Sequence, residues 1–240
     1  MLAATSANAA CSDVSRSAFE TAASLAATDT DNFGIFGNGG GGLPMWATMV
    51  DETGLVCHVY STDSGTPNTG ALAGNKAWLG SRVISAQKAN TANAFSLDTL
   101  ALSTGAVYVA VVPGGSLYGL QHSNPVDASK AYGGSPNTNG TSADFLKNKR
   151  IGGVNVFGGG VALYNGAGKK VGAVGASGDT SCRDHAFAWR LRYRLALDNT
   201  PNSDALALVG SVAGLWDHPL CYANDPLLAN GGGPAYGISN

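Results

Sequence analysis

Four histidines supply the imidazoles of this chain: His58, His122, His185 and His218. An imidazole can ligate a metal, shuttle a proton or simply bond inside a core. His122 and His185 rank first for chemistry because each lies near a glycine-rich element, Pro113-Gly114-Gly115 and Gly175-Ala176-Ser177-Gly178 respectively. A second constellation is Lys88 with the carboxylates Asp51, Asp179 and Asp184. A lysine and a carboxylate brought into one dry cleft are tuned by burial for proton transfer. Such a site would make a cofactor-independent lyase or isomerase acting on a small carboxylated or aromatic metabolite. Trp46, Tyr60, Trp78, Tyr118 and Tyr132 are available to wall that cleft, or to pack a core or an interface. Gly158, Gly159 and Gly160 can aim backbone N–H groups at an anion or a carbonyl oxygen. They can equally form a bulge that bends a sheet edge.

Other chemistries are excluded. No Gly-Lys-Ser/Thr follows the glycines, and no Gly-x-Gly-x-x-Gly opens a helix there, so a phosphate-binding loop is absent. Ser177 lacks the second glycine of a nucleophile elbow, since Asp179 stands in its place. No Cys-x-x-Cys supports a zinc or thioredoxin motif. Charged residues are only 12% of the chain, against about 25% in ordinary soluble domains. The net charge of −2, without a basic stripe, argues against a nucleic-acid partner. No apolar run reaches the roughly 20 residues of a membrane span.

The surface is therefore carried by Ala, Gly, Ser, Asn and Thr. That texture suits a secreted or periplasmic protein, or one partly covered by oligomer contacts. The small-residue run ending Ala7-Asn8-Ala9-Ala10 reads as the tail of an export signal, with a disordered alanine-rich tail as the plain alternative. The four cysteines Cys11, Cys57, Cys182 and Cys221 allow three pairings. Cys182 with Cys221 is favoured because it would pin a loose C-terminal tail, leaving Cys11 with Cys57. Buried free thiols are the other reading.

The elements that must position these groups follow from periodicity. Apolar residues Val14, Ala18, Ala22 and Leu25 recur at helical spacing over 13–27. Residues 45–50 and 55–60 read as a hairpin. The segment 76–95 reads as the central helix, with small residues that permit close packing. A strand is expected at 107–112, a long polar loop over 121–148, and a strand at 151–157. Residues 161–164 and 169–176 pair across Asn165-Gly166-Ala167-Gly168. A helix over 181–197 starts on a Ser181-x-x-Asp184 capping box. Its Arg183, Arg190, Arg192 and Arg194 suit the helix C-terminus and the acids of a neighbouring subunit. The order predicts an α/β fold: an α+β sandwich with one largely antiparallel sheet, helices packed on it, in a single domain. Residues 1–12 form the export remnant or tail, 13–198 the domain with its long loop, and 199–240 an extension packed on the same domain.

Several of these stretches carry a family resemblance. Val50-Asp51-x-x-Gly54, Ala86-Gln87-Lys88-Ala89-Asn90-Thr91-Ala92-Asn93-Ala94-Phe95, Gly158-Gly159-Gly160, Val171-Gly172-Ala173-Val174-Gly175-Ala176-Ser177-Gly178 and Asp184 occur in this order. The chain resembles the GlcG/HbpS-like haem-binding proteins over about residues 13–198, and is similar to the C-terminal domain of PduO-type proteins. Its long loop, its tail, and Tyr60-Ser61-Thr62-Asp63-Ser64-Gly65 after the hairpin depart from the family pattern. The resemblance implies an α/β sandwich that forms homo-oligomers, binds haem and serves redox sensing or haem handling. Haem needs an apolar slot, an axial ligand and partners for its propionates. In those terms His122 and His185 are the iron candidates, Arg82 and Lys88 the propionate partners, and Gly159 and Gly160 backbone contacts. Without Cys-x-x-Cys-His, covalent attachment is excluded. An accessory role beside an exported redox enzyme is the third reading. All three require the lysine-bearing helix and the paired glycine-rich strands to meet and leave a ligand-sized hollow.

Overall fold

The structure, a computed structural model, describes residues 9–28, 45–62, 78–208, 217–218 and 238–239. Two N-terminal helices, α1 (Ala9–Asp13) and α2 (Arg16–Thr28), precede the hairpin β1 (Trp46–Asp51) and β2 (Val56–Ser61). The long helix α3 (Leu79–Phe95) follows. Two single-turn helices, α4 (Tyr108–Val111) and α5 (Ala128–Ala131), then lead to the second hairpin. That hairpin is β3 (Gly160–Tyr164) and β4 (Lys170–Ser177), and helix α6 (Ser181–Arg194) comes after it. Three short strands close the chain: β5 (Leu206–Leu208), β6 (Asp217–His218) and β7 (Ile238–Ser239).

The main sheet has the order β2-β1-β4-β3, with every neighbouring pair antiparallel. The small second sheet is parallel, in the order β6-β5-β7. Antiparallel strands alternate in and out when one face meets water. Here β1 and β3 are buried at every position, because helices cover both faces. On one face Phe19 of α2 and Phe187 and Leu191 of α6 pack with Met49, Val161, Leu163 and Val174. On the other, Ala86, Ala89 and Ala92 of α3 pack with Trp46, Val50, Val56 and Ala173. The expected α/β sandwich is therefore present, as an α-β-α stack around one antiparallel sheet.

Small residues set how closely α3 approaches that sheet. A Cβ added at Gly175 would stand 2.0 Å from the Ser85 carbonyl oxygen and 2.4 Å from the Ala89 nitrogen. Helix and strand thus touch through backbone, and the Thr48 and Ser85 hydroxyls bond at 2.8 Å across the same interface. The disulfide Cys11–Cys57 ties α1 to β2, with Cα atoms 5.1 Å apart. Cys221, the expected partner of Cys182, lies outside the described residues, as do residues 1–8 of the expected export remnant.

Two expected strands are not strands. Residues 107–112 turn into α4, with close bonds such as Ala110 N to Val107 O at 3.1 Å replacing a ladder. Residues 151–157 form no ladder: Gly152 and Gly153 turn at φ +65 and +81, and only Gly152 makes an isolated bridge, to Val126. Side chains satisfy this backbone instead: Thr91 Oγ1 accepts from Asn155 N at 2.9 Å, Asn90 Nδ2 donates to Gly153 O at 2.8 Å, and Gln121 Oε1 accepts from Val156 N at 3.3 Å. The long loop over 121–148 is ordered by a buried ion pair. Arg82 of α3 donates through Nε to Asp144 at 2.9 Å, and Asp144 also accepts from Gly140 N at 2.6 Å and Leu146 N at 2.8 Å. A buried pair of this kind strongly destabilises when one partner is removed.

The helix–strand contact at Gly175 generates a prediction. Gly175→Ala forces α3 off β4 and should cost about 3 kcal/mol or more in urea unfolding. Gly166→Ala, on an open turn with nothing within 4 Å of its added Cβ, should stay within about 0.5 kcal/mol of the parent. Equal losses at both positions would contradict the close backbone approach.

Candidate functional site

Where α3 crosses the sheet, the motif residues converge on one buried pair. Lys88 Nζ lies 2.6 Å from Asp184 Oδ2 and donates to the Ala176 carbonyl at 3.0 Å, although the two residues stand 96 apart in sequence. Lys88 is wholly buried and Asp184 nearly so. Gly159, at φ +118, allows this meeting: a Cβ there would lie 2.4 Å from Ala176 O and 3.1 Å from Lys88 Nζ. Gly160 plays the same part against the α3 backbone, where a Cβ would stand 2.5 Å from Lys88 O. The ammonium also sits 4.7 Å from the Phe157 ring centroid, within range of a cation–π attraction. Asp184 Oδ1 accepts from the Asp179 N–H at 2.9 Å. The expected capping box is shifted by one residue: Thr180 is the N-cap of α6, and Asp184 reaches back past it.

Burial governs the charges of the pair. It pushes the Asp184 carboxyl up to about 7, against the opposing pull of Lys88. It also lowers the Lys88 ammonium from its usual range, against the opposing pull of Asp184. Desolvation penalises both charged forms, and each partner returns part of that cost.

The crossing itself is solid, and hollows open on either side of it. Beside the first turns of α3 and α6 is a cavity of about 410 Å³, lined by Trp78, Ser81, Ile84, Phe157, Ser177, Gly178, Asp179, Thr180 and Asp184. Beside the second half of α3 is a pocket of about 270 Å³. Phe95, Leu102, Val107, Leu117 and Leu120 make its apolar wall, and Thr91, Ser103, Thr104 and Ser116 bring the hydroxyls. Leu117 is half-exposed at its mouth.

The four histidines separate by environment. His58 is buried, and its Nε2 lies 2.8 Å from the Val14 carbonyl oxygen. His185 is fully buried with its ring centroid 5.8 Å from Trp189. It belongs to the interior under α6 and lines neither hollow. His218 is buried with Nε2 2.8 Å from Ser181 Oγ, which in turn accepts from Gly158 N at 2.6 Å. His122 alone is exposed, with its ring edge-on to Tyr118 at 6.5 Å. It stands two residues after Leu120, a wall residue of the apolar pocket.

Other expected site residues have structural positions. Asp51 is buried at the far end of β1, paired in register with Gly172, while Ala176 beside Lys88 pairs with Ala47. Its Oδ1 accepts from Thr53 N at 2.8 Å, Thr53 Oγ1 at 2.7 Å and Leu55 N at 3.0 Å, which makes it the organiser of the hairpin turn. It lines neither hollow. Arg82 is held by Asp144 and the Ala131 carbonyl, so it orders the loop and is not available to a propionate. Lys88 is likewise enclosed by Asp184 and Ala176. Arg192 meets Asp204 of its own chain at 2.7 and 2.8 Å, in place of an acid from a neighbouring subunit. Of the aromatic residues expected at a cleft, Trp46 is core, Tyr60 bonds Ser24 at 3.0 Å, and Trp78 lines the cavity at the buried pair. Phe157 completes that cavity and was not singled out by spacing; its position directly before the glycine triplet is the signal. Among the described residues no cluster of His, Cys, Asp or Glu could hold a bare metal ion, and no helix is long and apolar enough to cross a membrane.

Comparison with known proteins gives three results. The model of a family described as haem degrading protein HbpS-like matches residues 38–191. Among solved structures, a Klebsiella pneumoniae protein called ORFY is 21% identical, with a TM-score of 0.46 over 76% of this chain and 90% of that one. A complex of PduOC with haem is 20% identical, with a TM-score of 0.45 over 77% of this chain and 94% of that one. No curated protein matches the chain.

The buried pair makes stability depend on pH. The raised Asp184 carboxyl holds its proton in the folded state at pH values where the unfolded carboxyl, near 3.8, has lost it. Its stabilising share is thus present at low pH and lost as pH rises towards about 7. Melting temperatures of the parent should therefore fall relative to Asp184→Asn between pH 4 and pH 7. A parent-minus-variant difference that is flat with pH would contradict the raised carboxyl.

Proposed function

The chain belongs to the HbpS-like family of haem-degrading proteins, and from that membership we propose that it binds haem. The family match over residues 38–191 is the observation that carries the reading. Two features of this chain support it. The pocket against the second half of α3 has an almost wholly apolar wall open at Leu117, which suits one edge of a porphyrin. His122 is exposed on the same stretch of chain, while the other three imidazoles are buried. An apolar seat with one free imidazole fits the requirements of haem.

In this reading His122 would ligate the haem iron. The side chains of Phe95, Leu102 and Leu117 exclude water from the ring. The hydroxyls of Ser103 and Ser116 are the groups within the pocket that can bond a propionate, since the Thr104 hydroxyl already donates to the Phe157 carbonyl. Bound haem would supply a redox-active iron, in keeping with a redox or haem-handling role.

The setting belongs to the same proposal. The Cys11–Cys57 bridge favours an exported, oxidising location, since such bonds are rare in reducing compartments. Exposed Leu25 of α2 and Tyr193 of α6 border one open groove and favour a homo-oligomer formed through these helices. Light scattering of the purified chain reads the subunit number. Service to an exported redox enzyme is the wider role this setting allows.

Titration of the full chain with haemin should produce a saturable Soret band at one equivalent. His122→Ala should shift that band and weaken binding about tenfold or more, a loss of roughly 1.4 kcal/mol. Leu117→Asp should weaken it as well by placing a charge in the apolar wall. No saturable band would overturn haem as the ligand. A band that neither substitution alters would overturn this site.

A further inference from the structure

The cavity at the starts of α3 and α6 takes no part in the haem reading. The haem pocket lies against Thr91, Ala92 and Phe95, whereas this cavity is bounded by Trp78, Ser81 and Ile84 at the opposite end of the helix. Its lining sorts by chemistry. Trp78, Ile84 and Phe157 form an apolar wall with two flat rings. Ser81, Ser177 and Thr180 bring hydroxyls, and Asp179 and Asp184 bring carboxyls. Among the described residues no lysine or arginine belongs to the lining, and Lys88 behind it is engaged by Asp184 and the Ala176 carbonyl. Among the described residues of the lining an anion would meet two carboxyls and no cation. A flat, uncharged molecule bearing an oxygen finds both rings and hydroxyls.

We propose that this cavity is a second site, binding a small uncharged aromatic carbonyl compound, in which Asp184 transfers a proton to and from the carbon beside the carbonyl. The Asp184 carboxylate takes that proton, the C–H electron pair forms the carbon–carbon double bond, and the carbonyl π pair moves onto oxygen. The Ser177 and Thr180 hydroxyls are the lining donors for that oxygen. Return of a proton from the Asp184 carboxyl to carbon regenerates the ketone, so atoms and electrons balance without a co-reactant.

The geometry gives the carboxyl a fixed orientation. Lys88 Nζ holds Oδ2 at 2.6 Å and the Asp179 N–H holds Oδ1 at 2.9 Å. Lys88 is thus a positioning residue: it is fully buried and absent from the lining, so it acts through Asp184. Burial in a partly apolar wall also brings the Asp184 carboxyl to about 7, where a carboxyl can both accept and return a proton near neutral pH. The charged groups acting on it are Lys88 from α3, which lowers its proton affinity, and Asp179 from the turn before α6, which raises it.

The probe is acetophenone in D2O with the full chain, read by loss of the methyl proton signal in NMR. Exchange should run at least about tenfold faster than in buffer at the same pH, a barrier reduction of about 1.4 kcal/mol. Asp184→Asn should return it to the buffer rate. Ile84→Trp, which fills the cavity without touching the buried pair, should do the same while circular dichroism stays native. Lys88→Met should move the midpoint of the rate–pH profile upward, because a carboxyl that loses a neighbouring cation holds its proton more tightly. Exchange no faster than in buffer would overturn the proposal, as would fast exchange that survives either Asp184→Asn or Ile84→Trp. Haemin titration of Ile84→Trp should match the parent, which separates failure here from failure of the haem reading.

Discussion

The Lys88–Asp184 contact is the interaction through which the layers of this fold meet. Lys88 comes from α3 on one face of the sheet. Asp184 comes from α6, which packs on the other. The ammonium also holds the Ala176 carbonyl of β4, the strand between them. A pair taken out of water regains its desolvation cost only with good geometry and further hydrogen bonds. Here the further bonds are those of Ala176 O and the Asp179 N–H. Gly159 and Gly160 are glycines because any side chain would occupy the space that the pair and the α3 backbone use.

The same economy recurs elsewhere. A chain with only 12% charged residues places several of them inside. Arg82 with Asp144 fastens the loop to α3, and Arg192 with Asp204 fastens the segment after α6 to that helix. The first pair spans 62 residues and the second 12, and removing one partner of either would leave an uncompensated buried charge. Small residues make close backbone approaches possible, and buried ion pairs fix where those approaches occur. The two hollows remain at opposite ends of α3, where the packing of Gly175 against Ser85 and Ala89 gives way to larger side chains.

Much of this was legible in the sequence where local signals agree with tertiary demand. The two hairpins carry turn residues between apolar runs, and α3 and α6 carry helical spacing. The run at 107–112 misled because its β-branched residues favour a strand, while turn bonds around Gly105 and Gly115 close it into α4. The segment at 151–157 has strand composition but meets side chains of α3 where a neighbouring strand would be. For the site, Lys88, Asp184, Gly159 and Gly160 could be named from their motifs. Their union could not, because it depends on the crossing of α3 over β4. Asp51 shared those motifs and Arg82 preceded one of them, and spacing does not reveal their partners: a turn backbone in one case and Asp144 in the other.

The most direct measurement is a double-mutant cycle on the central pair, read by urea unfolding of the full chain. Lys88→Met and Asp184→Leu should each destabilise by about 3–5 kcal/mol, since the first leaves a buried carboxyl without its donor and the second strands the Lys88 ammonium. The double variant should recover much of that loss and be more stable than either single one. Losses that simply add in the double variant would contradict the claim that these two side chains answer each other across the sheet.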